Sequence, residues 1–188
     1  MEIYRTFDKQ YQGIYLARFV DCDVYETPPE YETELSKSLE TIQDPLYVRQ
    51  IIKSTHSGWK KGIYKNIPVN NLVQDVLDEL EDLMNIVDDI MVSAQKNGLD
   101  WLLDNFIPLS DGDLLHKPER LKMYTYEHGS LLRIYGIQLG DNAVIITGIA
   151  IKLVRKMQDS NLLKLELDKM KHLRNWLINN NITHCEQL

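Results

Sequence analysis

Apolar and polar residues alternate along the chain between Lys122 and Lys156, and β-branched residues are frequent there. This period of two is typical of strands with one buried face, and small turn residues interrupt it twice, at His128-Gly129-Ser130 and at Gly140-Asp141-Asn142. We therefore predict a β-meander core at 122–156 with three strands: Lys122–Glu127, Leu131–Leu139 and Ala143–Leu153. An earlier strand, Gly13–Val20, is too short to be stable alone and is expected to join the same antiparallel sheet.

Apolar residues recur at steps of three and four in most of the remaining chain, and this spacing predicts one face of a helix. The predicted helices are Glu30–Ile42, Leu46–Lys53, Val69–Asn97 and Asn161–Asn179. Asp44-Pro45 forms an N-cap with proline at the first helical position, and Asp159 or Ser160 is expected to cap the last helix. A short amphipathic segment, Leu99–Leu109, is expected to fasten the long helix to the sheet.

Together these elements predict a single α+β domain over residues 1–188, in which a small antiparallel sheet is packed by helices. The long acidic amphipathic helix at 69–97 is an insertion between the first helices and the meander, and the tail at 180–188 is expected to be flexible.

The long helix has two chemically different faces. Its apolar stripe, from Val73 to Ala94, is expected to be buried, either against the sheet and the last helix or across a homodimer. The other face carries seven acidic residues and only one basic residue, Lys96; the acids are Asp75, Asp78, Glu79, Glu81, Asp82, Asp88 and Asp89. This pattern fits a solvated surface, and it also fits a docking surface for a basic partner or a mimic of nucleic-acid charge.

Composition narrows the class of protein. The net charge of −7 speaks against nucleic-acid binding by bulk charge alone. Cys22 and Cys185 lie far apart without a CxxC pattern, so we expect two reduced thiols. Charges interrupt the N-terminal apolar residues, and no run approaches the ~18 apolar residues of a membrane span. We therefore expect a cytoplasmic protein without a membrane partner.

The chain carries no nucleophile motif, no phosphate-binding glycine loop and no zinc-ligand spacing, so we expect no metal and no cofactor. Basic residues are nevertheless concentrated between Leu114 and Lys156, where seven stand against three acids. Such a patch fits a site for a phosphate-bearing ligand, and it also fits edge charges that protect a sheet from pairing with neighbours. His128 is the histidine of most interest, because it lies at the turn that enters the strand of Arg133.

The motif LLRIYGIQLGDNAVIITGIAIKLVRKMQD, followed by a leucine-bearing helix, is similar to the C-terminal half of RelE/HigB-like toxins of bacterial toxin–antitoxin pairs. In that family a strand arginine is followed by a hairpin, an apolar strand, lysines and a helix. The chain also looks like uncharacterised bacterial proteins that end in an RLYAI…IITGGAIKLT motif. The resemblance implies a small antiparallel sheet packed by helices, an antitoxin as protein partner, and ribosome-dependent cleavage of mRNA without a metal.

Carried over onto this chain, the resemblance gives catalytic roles to basic side chains. Arg133 matches the strand arginine, Lys152 matches the lysine that closes the next strand, and Arg155 and Lys156 match loosely. Either Lys156 or His128 would then assist proton transfer. The alternative is a non-catalytic relative, which binds a protein partner through its acidic helix or a sheet edge.

The predicted hairpin makes the basic site testable. A two-residue loop at Asp141-Asn142 would place Arg133 opposite Ala150. Directly opposed residues share a face, so Lys152 would lie on the face of Arg133, one diagonal step away at roughly 7–8 Å. Both cations would then be within reach of one phosphate.

Overall fold

The computed structural model describes residues 1–5, 13–20, 25–55, 64–97, 106–108, 119–124, 130–140 and 143–188. For residues 5, 86–97, 106–108 and 119–124 the description is that of the backbone. Helices and one mixed sheet make up this part of the chain, and the predicted α+β class is confirmed. None of the helices in the described ranges is long and apolar enough to cross a bilayer.

In the part of the chain that the structure describes, six strands form the sheet in the order β1-β2-β6-β5-β4-β3. Their bounds are β1 Glu2–Arg5, β2 Ile14–Arg18, β3 Phe106–Pro108, β4 Glu119–Tyr124, β5 Leu132–Leu139 and β6 Ala143–Ile151. The prediction of a purely antiparallel sheet is wrong at one pair, because β2 runs parallel to β6 from Ile14↔Val144 to Leu16↔Ile146. A parallel pair needs a long crossover connection, and the described residues between these two strands include three helices.

The described ranges contain four α-helices, which pack on the sheet: α1 Glu34–Gln43, α2 Pro45–Ser54, α3 Val69–Asn97 and α4 Asn161–Asn179. The helix α1 begins four residues later than predicted, because Thr33 and Ser36 form a capping box at its start. The cap of α2 is Asp44, whose side chain accepts from the Leu46 amide, with Pro45 at the first helical position. Ser160 caps α4 by accepting from the Leu163 amide.

The two faces of the sheet are buried under different helices. On one face, Leu132, Ile134, Val144 and Ile146 pack with the apolar sides of α1, α2 and residues 69–85 of α3. On the other face, the core is formed with α4; its members include Tyr135, Ile137, Leu139, Ile145, Leu163, Met170, Leu173 and Leu177. The sheet is thus the middle of three layers, with α1–α3 on one side and α4 on the other.

The β5–β6 hairpin has the predicted register at Arg133, but its loop differs from the predicted one and it contains a bulge. Its closing pair is Leu139↔Ala143, so the loop has three residues rather than two, and a bulge between Tyr135 and Gly136 shifts the pairing by one residue. The loop and the bulge compensate each other, so Arg133 lies opposite Ala150 as predicted. The bulge also explains why Ile146 and Ile149, three residues apart, belong to the same core.

Several predicted elements lie wholly or partly outside the described residues. Residues 99–105 and 125–127 lie outside the described residues, as does His128, while 106–108 form the short strand β3. The first meander strand is described at 119–124, three residues earlier than expected. At the other end of the chain, Ile182 is buried among residues of the α4 core, and Cys185–Gln187 form a 3-10 turn. Cys185 and Leu188 also pack against this core, so the tail at 180–188 is attached to it at three residues.

Candidate functional site

Arg133 lies at the start of β5, on the face covered by α4, and only 8% of it is exposed. Its Nη1 donates to the backbone carbonyls of Ser130 and Leu132, at 2.7 and 2.6 Å. Charge-assisted bonds of this kind hold the entry to the strand in one conformation. The guanidinium therefore has a structural task at this position.

Glu79 of α3 holds the same entry from the other side. Its carboxylate accepts from the amides of Leu131, at 2.6 Å, and Leu132, at 3.0 Å, and from the hydroxyl of Ser130. Only 6% of Glu79 is exposed, so its assignment to the solvated acidic face of the long helix is wrong. The reason is helical spacing: Glu79 lies three residues after Val76 and four before Leu83, and both are buried.

The other basic residues of the predicted site follow β6. The amide of Lys152 donates to the carbonyl of Leu131 at 2.7 Å, which extends the hairpin register by one residue. The Nζ of Lys152 donates to the carbonyl of Arg155 at 3.2 Å, and the side chains of Arg155 and Lys156 are exposed. These cations lie at one end of the hairpin, and His128 lies outside the described residues.

A second group of charges, which the sequence interpretation did not single out, is buried between α1 and α4. Lys169 donates to Glu34 Oε2 at 2.9 Å and to Glu166 Oε1 at 2.6 Å. None of the three residues is more than 4% exposed. We call Glu34, Glu166 and Lys169 the buried triad. At its edge, the half-exposed Lys37 donates to Glu34 Oε1 at 3.1 Å.

The buried triad connects five segments of the fold. The hydroxyl of Thr27 donates to Glu34 and accepts from the amide of Phe19, which follows β2. Lys169 also donates to the carbonyl of Thr147, at 3.4 Å, where the β6 bulge lies. The triad thus occupies the place where the pairing of β2 with β6 ends and the helices of the two faces meet. By donating to the carbonyl of Thr147, Lys169 satisfies a backbone acceptor at the end of this ladder.

Gly148 makes room for the triad. Its φ of +144° is a conformation that residues with a side chain rarely adopt. A Cβ at this position would lie 3.1 Å from Lys169 Nζ, 3.1 Å from Ser38 Oγ and 3.3 Å from Glu166 Oε2. The bulge and its glycine therefore allow three polar groups to approach the strand backbone.

The two carboxylates of the triad differ in their electrostatics. Burial alone would raise the pKa of Glu34, but the Lys169 ammonium, the hydroxyl of Thr27 and the charge of Lys37 outweigh it, so this pKa is lowered. Burial raises the pKa of Glu166, and the attraction of Lys169 offsets this only in part. Burial would lower the pKa of Lys169, but the two carboxylates raise it above its ordinary value. Glu166 is thus the member whose charge is least compensated.

The sequence does contain a sign of this triad. Glu166 and Lys169 fall within the apolar stripe of α4, at helical spacing from Leu163, Met170 and Leu173. A charged residue on the buried side of a helix must be paired or bound, because an isolated charge is costly to bury. The same criterion identifies Glu79 on α3.

A cavity of about 210 Å³ adjoins the triad, between α1, the start of α2, α4 and the end of β6. Side chains of Tyr25, Tyr47, Ile149, Glu166 and Lys169 contribute to its wall. The predicted basic residues Arg133, Lys152, Arg155 and Lys156 do not line this cavity. The cationic hairpin end and the buried triad with its cavity are therefore separate regions of the described chain.

No protein family, curated protein or solved structure matches this chain. The resemblance to RelE/HigB-like toxins therefore remains a prediction from the motif.

Proposed function

We propose that this chain is an RNA endonuclease of the RelE/HigB toxin type, which holds the phosphodiester backbone at the cationic end of the β5–β6 hairpin. The observation that carries the proposal is the hairpin register. Arg133 lies opposite Ala150, and the register extends to Lys152, so the strand arginine and the segment Lys152–Lys156 lie at the same end of the sheet. Cations there would attract a phosphodiester and stabilise the negative charge of its transition state.

The burial of Arg133 separates the roles of these residues. Its Nη1 donates to two backbone carbonyls, so we assign Arg133 as a positioning residue that fixes the start of β5. Arg155 and Lys156 are exposed, and Lys152 is half-buried beside them, so these three are the proposed phosphate contacts. His128 keeps its proposed role in proton transfer as a prediction from the motif.

This assignment changes the experiment that tests the function. Replacing Arg133 with alanine would remove two buried hydrogen bonds and destabilise the strand, so loss of toxicity would not distinguish catalysis from folding. The double variant Arg155→Glu/Lys156→Glu reverses two exposed charges instead. We expect overexpression of the unaltered chain to arrest growth and cleave mRNA, and the double variant to lose both effects with an unchanged melting temperature.

The matched control is Lys164→Glu/Lys171→Glu, which makes the same change in net charge on the exposed side of α4. This control should retain growth arrest and mRNA cleavage. If the unaltered chain leaves growth and mRNA intact, or if the control loses activity as fully as the hairpin variant, the proposal is wrong.

A second candidate function, a protein-binding module, is favoured by the exposed side of α3. Asp75, Asp78, Glu81 and Asp82 are all exposed there, while Val76, Leu80 and Leu83 on the opposite side are buried. A partner of this surface would be basic, because charge complementarity directs association. An antitoxin could bind in this way, so the two candidate functions are compatible.

Co-purification tests this second candidate. The chain would be co-expressed with the products of the two adjacent reading frames, in its unaltered form and as Asp78→Lys/Glu81→Lys. We expect the variant to lose a bound partner that the unaltered chain retains, more strongly at low than at high salt. Equal retention by both forms would exclude the acidic side of α3 as the interface.

A further inference from the structure

Glu166, in the wall of the cavity beside the buried triad, has one acceptor oxygen that the described part of the protein does not use. Glu166 Oε1 accepts from Lys169, whereas Glu166 Oε2 has no hydrogen-bond partner in the described part of the chain. Glu166 is 4% exposed and lines the cavity. A buried carboxylate oxygen without a donor is unfavourable, so a ligand that brings a donor to it gains affinity there.

The ammonium of Lys169 is fully hydrogen-bonded within the protein. Lys169 Nζ has three hydrogens and three acceptors: Glu34 Oε2, Glu166 Oε1 and the carbonyl of Thr147. It therefore has no hydrogen left for a ligand. The group that the cavity offers is an acceptor, and a ligand must supply the donor.

Charge indicates what kind of donor fits. Two carboxylates against one ammonium give the buried triad one excess negative charge. Lys37 pairs with Glu34 at the edge of the triad, where it is half-exposed and water screens its charge. A cationic donor would neutralise this excess and form a charge-assisted hydrogen bond, about twice as strong as a neutral one. Ile149 and the rings of Tyr25 and Tyr47 in the cavity wall suit a short apolar group beside the cation.

We propose that this cavity is a binding site for a small organic ammonium ion, which donates to Glu166 Oε2 and packs its alkyl part against the apolar wall. The ligand must be small, because about 210 Å³ is below the roughly 300–1,000 Å³ of sites for drug-sized molecules. The site is distinct from the cationic hairpin end, whose charge would attract an anion.

The test uses three probes of similar size on the purified full chain: n-butylammonium, n-butanol and n-butyrate. Binding is measured by calorimetry and by NMR shifts at residues that line the cavity. We expect n-butylammonium to bind at least about tenfold more tightly than n-butanol, which corresponds to one charge-assisted hydrogen bond, and n-butyrate not to bind. Equal or tighter binding of n-butyrate or n-butanol would overturn the proposal, as would no binding of any probe.

Variants locate the probe. Glu166→Gln should weaken n-butylammonium by about tenfold and remove its advantage over n-butanol. Asp168→Asn, an exposed carboxylate on the same helix, should leave both affinities unchanged. Leu165→Trp, which adds bulk to the cavity wall, should exclude n-butylammonium and n-butanol and provides a test that does not depend on Glu166. Full n-butylammonium affinity in Glu166→Gln or in Leu165→Trp would place the probe elsewhere and refute the site. These measurements are independent of RNA cleavage, so either proposal can fail alone.

Discussion

Glu79 and Glu166 are both buried carboxylates, on helices that cover opposite faces of the sheet, and the protein satisfies them differently. Glu79 accepts from two backbone amides and a hydroxyl, so both of its oxygens are used within the fold. Glu166 has one oxygen on Lys169 and the other without a partner in the described ranges. The difference separates a carboxylate that stabilises a strand from one that has binding capacity left.

Glu79→Ala should give the largest loss of stability. It would leave the amides of Leu131 and Leu132 without their acceptor, at a cost of about 4 kcal/mol, whereas the hydroxyl of Ser130 can still donate to the carbonyl of Leu132. Chemical denaturation would measure the loss, with Glu81→Ala on the exposed side of α3 as the control. A loss in Glu79→Ala no larger than in the control would mean that the strand entry does not depend on this carboxylate.

Glu34→Gln comes next and depends on pH. The pKa of Glu34 is lowered in the fold from its ordinary value of 4.5. Its ionised form therefore stabilises the protein at pH values above 4.5, and this contribution is lost as pH falls through the lowered pKa. We expect a loss of about 2 kcal/mol at pH 7 that shrinks below pH 4.5. Denaturation midpoints from pH 7 to 3 would test this, with the exposed Glu40→Gln of α1 as the control. A difference that does not change with pH would contradict the ionic role.

Gly148→Ala tests the bulge that admits the triad. The φ of +144° and the predicted contacts at 3.1 Å with Lys169 Nζ and Ser38 Oγ make a methyl group unfavourable, at a cost of roughly 1.5 kcal/mol. The thermal midpoint should fall, and the substitution should also weaken n-butylammonium binding if the triad shifts. An unchanged midpoint would show that the bulge accommodates the methyl group.

Glu166→Gln should have the smallest effect, with the opposite sign. Burial raises the pKa of Glu166, so its carboxylate form opposes folding as pH rises above 4.5 through the raised pKa. The neutral amide leaves Lys169 with Glu34 as a one-to-one pair, so we expect a gain of up to ~1 kcal/mol at pH 7 and little change at pH 4. A large loss at pH 7 would mean that Glu166 is structural, as Glu79 is.

Local pattern was enough to predict several elements of this fold. The bounds of α3 and α4 agree with the predicted helices, because apolar spacing and capping residues such as Ser160 are local. The register at Arg133 was also predicted, although it arises from a three-residue loop and a bulge that compensate each other.

The features that the local sequence pattern did not predict depend on contacts between residues far apart in the chain. The parallel pairing of β2 with β6 is decided by the helices between them, and no feature of 13–20 indicates its direction. The donors to Glu79 come from residues 130–132, and Lys169 of α4 pairs with Glu34 of α1, which is 135 residues away in the sequence. Charged residues on apolar stripes indicate that such partners exist, but not which residues they are.

The parallel pairing of β2 and β6 also has a consequence for the order of folding. Ile14 is made before the helices α1, α2 and α3, whereas its neighbour Val144 emerges from the ribosome after them. Sequence-distant contacts of this kind slow folding, since the loop must close before the pairing contributes. During synthesis β1 and β2 can therefore form no more than a two-stranded hairpin, which is only marginally stable alone, until residues 143–146 are available to join it. The yield of native protein should thus depend more on the translation rate, or on a chaperone that shields this hairpin, than on the stability of the finished fold.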